Sequence, residues 1–176
     1  VPLVVPDNFA TLQAALSAAQ AGDTVWVMPG EYIIGNDVQI PAGVRLQGSG
    51  ADLTMLSGMV TLRPNSQVDG FSTRGATPQV QFDGGDSIAS NMRFKQQRGV
   101  YISSAIQAPV FIRNNVFYYA DGIAPDFDAG VHVFSPQSQA FVENNVIGRV
   151  GAGIRSESLQ HALATMRHNI FYNLNY

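Results

Sequence analysis

Asn114-Asn115-Val116-Phe117 recurs as Asn144-Asn145-Val146-Ile147 and again as His168-Asn169-Ile170-Phe171. Ser90-Asn91-Met92 and Asp69-Gly70-Phe71 are weaker copies upstream. Between the copies lie short segments of alternating character: Val60-Thr61-Leu62, Val80-Gln81-Phe82, Val100-Tyr101-Ile102, Val131-His132-Val133 and Ile154-Arg155-Ser156, with Val38-Gln39-Ile40 opening the series. Successive alternating segments are 20 to 24 residues apart, except for one interval of 31 that holds Ala124-Pro125-Asp126-Phe127-Asp128-Ala129. A period in the low twenties, made of short strands and Asn/Gly corners, is the pattern of a solenoid. Helical solenoids need stripes at i, i+3 and i+4, whereas these segments alternate with period two. A leucine-rich repeat would need a leucine ladder, and none is present. What remains is an all-β chain, a parallel β-helix of about six or seven coils.

A tight corner between strands needs a residue that tolerates positive φ, and Asn does so. Its amide can also hydrogen-bond to the same corner in the coils above and below, so an Asn ladder is expected. The left-handed dihedral is expected at Asn115 and Asn145, with Gly48 and Gly70 in the same backbone role in the early coils. Phe71, Phe94, Phe117 and Phe171 fall near matching positions and predict an internal aromatic stack. Arg113, Glu143 and Arg167 fall at equivalent positions and predict outward charge pairs across rungs.

Before the coils, Phe9, Leu12, Leu16 and Ala19 share one helical face. Asp7 or Asn8 suits the N-cap and Gly22 the C′ position, so a capping helix is expected over 7–22. It would cover the open apolar end of the solenoid, whose uncovered strand edges invite association. Asp23-Thr24-Val25-Trp26-Val27 is expected to be the first strand and Pro29-Gly30-Glu31-Tyr32 a turn. The chain is read as one domain, with coils over 23–176 and an insertion at 124–129. It opens without a signal segment, and no polar lid follows the last coil. The expectation is therefore a piece of a longer chain, or a homodimer through the C-terminal end.

Composition narrows the function. Of 176 residues, 45% are apolar and 13% charged, with a net charge of −3. Charged residues usually make up about a quarter of a domain. The ten Lys and Arg residues are dispersed, so there is no basic footprint for nucleic acid. No apolar run reaches the ~18 residues of a membrane span. The absence of Cys removes disulfides, thiolate metal sites and Cys nucleophiles. Lys95 is the sole lysine and sits in no phosphate-binding or Schiff-base motif.

The run Phe9-Ala10-Thr11-Leu12-Gln13-Ala14-Ala15-Leu16, followed by Ala21-Gly22-Asp23-Thr24-Val25-Trp26-Val27-Met28-Pro29-Gly30-Glu31-Tyr32, resembles the N-terminal capping region of the pectate-lyase-like superfamily. So does Ile40-Pro41-Ala42-Gly43-Val44-Arg45-Leu46-Gln47-Gly48-Ser49-Gly50. The resemblance implies a right-handed parallel β-helix of the kind found in polysaccharide lyases and pectin methylesterases. It further implies a secreted, periplasmic or cell-surface protein with saccharide lying along one sheet. The Asp-Pro-His-Glu motif of alginate epimerases is absent. The clustered Asp residues and Arg or Lys base of pectate lyases have no unambiguous counterpart.

If the alternating segments form one sheet, their middle residues make an outward column: Gln39, Thr61, Gln81, Tyr101, His132, Arg155. A second column holds Arg63, Asp83, Ser103, Phe134 and Glu157. Tyr101 offers an apolar face to a sugar ring, and Arg155 a fork for a carboxylate. His132 exchanges a proton near neutral pH. The insertion adds Asp121, Asp126 and Asp128, and long excursions from a regular solenoid are where function is usually placed. The catalytic candidates are His132, Arg155 and Asp128. The substrate-binding candidates are Gln81, Tyr101, His132, Arg155, Glu157, Asp121 and Asp126. Asp126 and Asp128 could hold Ca²⁺ but match no defined calcium loop, so no metal or cofactor is assigned. His161 and His168 read as surface or corner residues. The reading is a carbohydrate-active domain that binds or cleaves an acidic polysaccharide, by β-elimination or hydrolysis if it is an enzyme. The alternative is a non-catalytic, self-associating scaffold, adhesin or tailspike-like module.

Overall fold

A computed structural model describes residues 2–75, 79–95, 98–103, 106–118, 129–134, 139–156 and 163–174. It is a right-handed parallel β-helix of about six turns. Every strand pairing is parallel, because each strand meets its counterpart one coil away. The eight-stranded sheet runs from Leu3–Val5 and Thr24–Val27 to Gln139–Glu143 and Leu163–Arg167. The other sheet has eleven strands and two faces. The long strand Thr54–Leu62 joins them, pairing through its start with Ser72–Arg74 and through its end with Val80–Phe82. The cross-section is thus three-sided: the eight-stranded face, the face continuing through Val116–Tyr118, and the face continuing through Val100–Ile102.

Alternation drives the burial. On the face through Val100–Ile102, the inward residues Val60, Leu62, Val80, Phe82, Val100, Ile102, Val131 and Val133 are all buried. On the next face Phe94 stacks on Phe117, with ring centroids 4.5 Å apart and planes 16° apart. Such a pair adds about 0.5–1.5 kcal/mol beyond its buried area. Phe171 continues that register beyond Ile147 but is exposed, so it is not a member of an internal aromatic stack. Phe71 does not join the stack, because Phe94 pairs with Thr73 and Phe71 is buried one corner earlier.

The Asn corners divide two tasks between neighbours. The first residue takes the left-handed dihedral: Asn91 at φ 54°, Asn114 and Asn144 at 56°, and His168 at 53°. The second makes the hydrogen bonds. Asn145 accepts from the backbone N–H and the amide of Asn115, at 2.9 and 3.0 Å. It donates to Asn169 Oδ1 at 3.0 Å and to the Ile112 carbonyl at 2.9 Å. The left-handed position is therefore Asn114 or Asn144, not Asn115 or Asn145. The glycines differ as well. Gly70 has a φ of 78°, while Gly48 is demanded by close approach, since a Cβ there would lie 2.5 Å from the Gly70 carbonyl oxygen.

The N-terminus departs from expectation in four ways. Leu3–Val5 already forms a strand and pairs with Thr24–Val27, so Asp23–Val27 is not the first strand. The helix α1 spans only Leu12–Ala18, not 7–22. Its N-cap is Thr11, whose side chain accepts from the Ala14 N–H at 3.2 Å, so neither Asp7 nor Asn8 caps it. Gly30–Tyr32 belongs to the strand Gly30–Ile40 rather than to a turn. The helix buries Leu12, Ala15 and Leu16 against the first strands, which gives a helix this short its stability.

Candidate functional site

The face through Val100–Ile102 presents the first outward column. Strand pairing sets Gln39 beside Thr61, Thr61 beside Gln81, Gln81 beside Tyr101, Tyr101 beside His132 and His132 beside Arg155. Neighbouring members sit one rung apart, about 4.8 Å. Pointing outward does not mean being bare. Gln81, Tyr101 and Arg155 are half-buried, whereas Thr61 and His132 are each only 4% exposed. Thr61 is covered because Gly30–Ile40 bulges between Ile33 and Val38, and its hydroxyl donates to Asp37 at 2.8 Å.

Tyr101, His132 and Phe134 gather into one aromatic cluster. The Tyr101 and His132 rings meet edge-on, with centroids 5.4 Å apart and planes at 84°. Phe134 lies 6.1 Å from Tyr101 and 6.4 Å from His132. The cluster joins an apolar surface on Tyr101 and exposed Phe134 to a nearly buried imidazole. Sequence reasoning placed Phe134 in the second column without assigning it a site role. Two-residue spacing after His132 was the signal for it.

The second column becomes a polar strip at the N-terminal end of the face. Arg63 pairs with Asp83 at 2.7 Å and donates to Gln39 Oε1 at 2.8 Å. Ser103 donates to Asp83 at 3.1 Å. Beside the strip lies a cleft of about 320 Å³, walled by Pro64, Asp83, Asp86, Ile106 and Ala108. These hydrogen bonds fix the side chains before any ligand arrives, which lowers the ordering cost of binding.

Of the residues proposed from sequence, the structure brings Gln81, Tyr101, His132 and Arg155 into one register. Asp121, Asp126, Asp128, Glu157 and His161 lie outside the described residues, as does the insertion expected at 124–129 except for Ala129, which opens the strand Ala129–Val133. His168 occupies a corner with left-handed φ. Among the described residues, no three His, Asp or Glu side chains group as a metal site would need. Arg113 and Glu143 meet across rungs at 3.0 Å on the eight-stranded face. No described helix is long and apolar enough to cross a membrane.

No family model matches the chain, and no curated protein does. Solved structures do match. The catalytic domain of a GH87 α-1,3-glucanase in complex with nigerose superposes with a TM-score of 0.70 at 12% identity, over 97% of this chain and 35% of that one. The A-module of the Azotobacter vinelandii mannuronan C-5 epimerase AlgE4 gives a TM-score of 0.57 at 17% identity, over 97% of this chain and 65% of that one. The chain thus spans about a third of the first and less than two thirds of the second. At these identities the likeness is one of fold.

Proposed function

We propose that this β-helix is a carbohydrate-active domain that holds an acidic polysaccharide along the face carrying Gln81, Tyr101, His132 and Arg155. The observation that carries the reading is the aromatic cluster of Tyr101, His132 and Phe134, flanked in register by an amide and a guanidinium. A pyranose ring is apolar on its C–H face and polar around its rim. An aromatic ring takes the first and side-chain amides the second. The Arg155 fork suits a uronate carboxylate. The neighbours in fold include an α-1,3-glucanase and a mannuronan epimerase, which supports polysaccharide as the ligand class. Such a ligand places the protein outside the cytoplasm: secreted, periplasmic or on the cell surface.

Chemistry at this face begins with neutralising the carboxylate. A neutralised uronate loses the proton on the adjacent carbon more readily, which is the first requirement of β-elimination. His132, in register between Tyr101 and Arg155, is the candidate to take that proton. Asp128 is the acidic candidate beside it in sequence.

Calorimetric titration with oligogalacturonate and oligomannuronate tests the binding, and absorbance of unsaturated products tests cleavage. Arg155→Ala is expected to weaken uronate binding by at least about tenfold, or ~1.4 kcal/mol, and to affect neutral oligosaccharides less. No binding of any uronate oligomer at millimolar concentration contradicts the reading.

A further inference from the structure

The outer surface of the eight-stranded sheet carries its own organised strip, separate from the face discussed above. Strand register places Trp26 beside Gln47, Gln47 beside Asp69, and Asp69 beside Ser90. Ser90 is followed in register by Arg113 and then Glu143. Trp26 is the only tryptophan of the chain and is 53% exposed. Four rungs further along, roughly 19 Å at ~4.8 Å per rung, Phe111 and Phe141 stack on the same outer surface. Their centroids are 5.3 Å apart and their planes 19° apart, and both are half-buried. The Arg113 guanidinium lies 4.4 Å above the Phe111 ring.

The polar groups between these aromatics are fixed in place. Gln47 donates to Asp69 Oδ1 at 2.9 Å and to the Gly48 carbonyl at 3.0 Å. Ser90 donates to Asp69 Oδ2 at 2.6 Å. The charges are matched: Arg45 lies 3.7 Å from Asp69, and Arg113 lies 3.0 Å from Glu143. A carboxylated ligand would have to compete with Asp69 or Glu143 for its cation. A neutral polyol does not, and it can still donate hydrogen bonds to Glu143, whereas buried Asp69 already accepts from Gln47, Ser90 and Asn91 and serves to hold the strip in place.

We propose that this surface is a second glycan-binding face, which takes a neutral, unbranched oligosaccharide running along the solenoid axis from Trp26 to the Phe111–Phe141 pair. Exposed Trp26 stacks the C–H face of a sugar ring at one end, the stacked Phe111–Phe141 pair with Arg113 over Phe111 gives apolar contact at the other, and the fixed amide and hydroxyl strip reads the hydroxyls between. The face is independent of the one carrying Tyr101 and Arg155. A failure here leaves that reading standing, and the converse holds.

Because Trp26 is the sole tryptophan, its emission reports on this surface directly. The probes are neutral gluco-oligosaccharides, α-1,3-linked and β-1,4-linked, with oligomannuronate as the acidic comparison. We expect a saturable blue shift with a neutral oligomer. We expect its Kd to rise at least tenfold in the Phe111→Ala/Phe141→Ala variant, to be kept by Phe111→Tyr, and to be unmoved by Tyr101→Ala or Arg155→Ala. Thermal melts of each variant verify folding, and Phe111→Tyr keeps the test informative if the double variant fails to fold. A flat emission titration with every neutral oligomer overturns the proposal. So does an equal response to oligomannuronate, or a response abolished by Tyr101→Ala.

Discussion

Asn144 and Asn145 are adjacent and chemically identical, yet they stabilise the corner by different means. Asn144 is exposed and holds φ at 56°. Asn145 is buried, and its side chain serves the backbone N–H of Asn115 and the carbonyl of Ile112. Asn144→Gly should therefore be nearly neutral, and Asn144→Ala should cost about 1–2 kcal/mol of left-handed strain. Asn145→Ala and Asn145→Gly should both cost about 1–3 kcal/mol, since both leave buried backbone groups unpaired. Denaturant unfolding of the four variants distinguishes the two roles, and rescue by glycine at 145 would reverse them. The repeat of paired Asn was legible in the sequence, but the division of labour was not, because composition cannot say which of two neighbours takes the unusual dihedral. His132 shows the same limit. Alternation placed it outward correctly, but it cannot register how deeply an outward side chain is covered. Tyr32 offers a pH test at this scale. Burial, followed by the nearby Asp7 charge, raises its phenol above the ordinary value near 10. Below that pH both states hold a neutral phenol. Above it the unfolded chain loses its proton first, so stability falls as pH rises toward the folded value. Tyr32→Phe should flatten the fall in the denaturant midpoint above about pH 10 relative to the parent. Parallel curves would remove the effect.

At the scale of elements, the helix and the first strand were the parts read least well. Leu3–Val5 is three residues long and precedes a proline, with no Asn corner to mark it. Its strand character comes from the ladder offered by Thr24–Val27, a tertiary cause that local pattern does not carry. The helix was legible through the spacing of Leu12 and Leu16, but its start was misplaced because Asp7 and Asn8 are stronger caps by residue type. Asn8 and Phe9 instead turn back onto the Val4 carbonyl, and the helix begins only after Thr11. Thr11→Ala should cost about 1 kcal/mol, and Thr11→Ser should retain most of that. Equal melting of Thr11→Ala and the parent, with a loss in Asn8→Ala, would move the cap back. The strands of the later coils were read well because alternation and the Asn corners agree there.

Across the whole molecule, the three-sided cross-section turns a one-dimensional repeat into faces of stacked side chains, each column advancing one rung at a time. The column from Gln39 to His132 was visible in the sequence because apolar neighbours on both sides of each middle residue fix which way it points, and Arg155 follows from Ile154 alone. The eight-stranded face was less visible. The equivalence of Arg113 and Glu143 already set Phe111 beside Phe141, but Trp26 belongs to a strand whose register against them only the folded coils reveal. Binding along a face predicts a ligand that crosses strands rather than follows one. The most direct measurement is a crystal structure of the protein with an oligouronate. The expected result is a sugar chain crossing Val80–Phe82, Val100–Ile102, Ala129–Val133 and Ala152–Ser156, with a ring on Tyr101 and a carboxylate on Arg155. A uronate chain bound elsewhere, with no sugar atom against either residue, would contradict it.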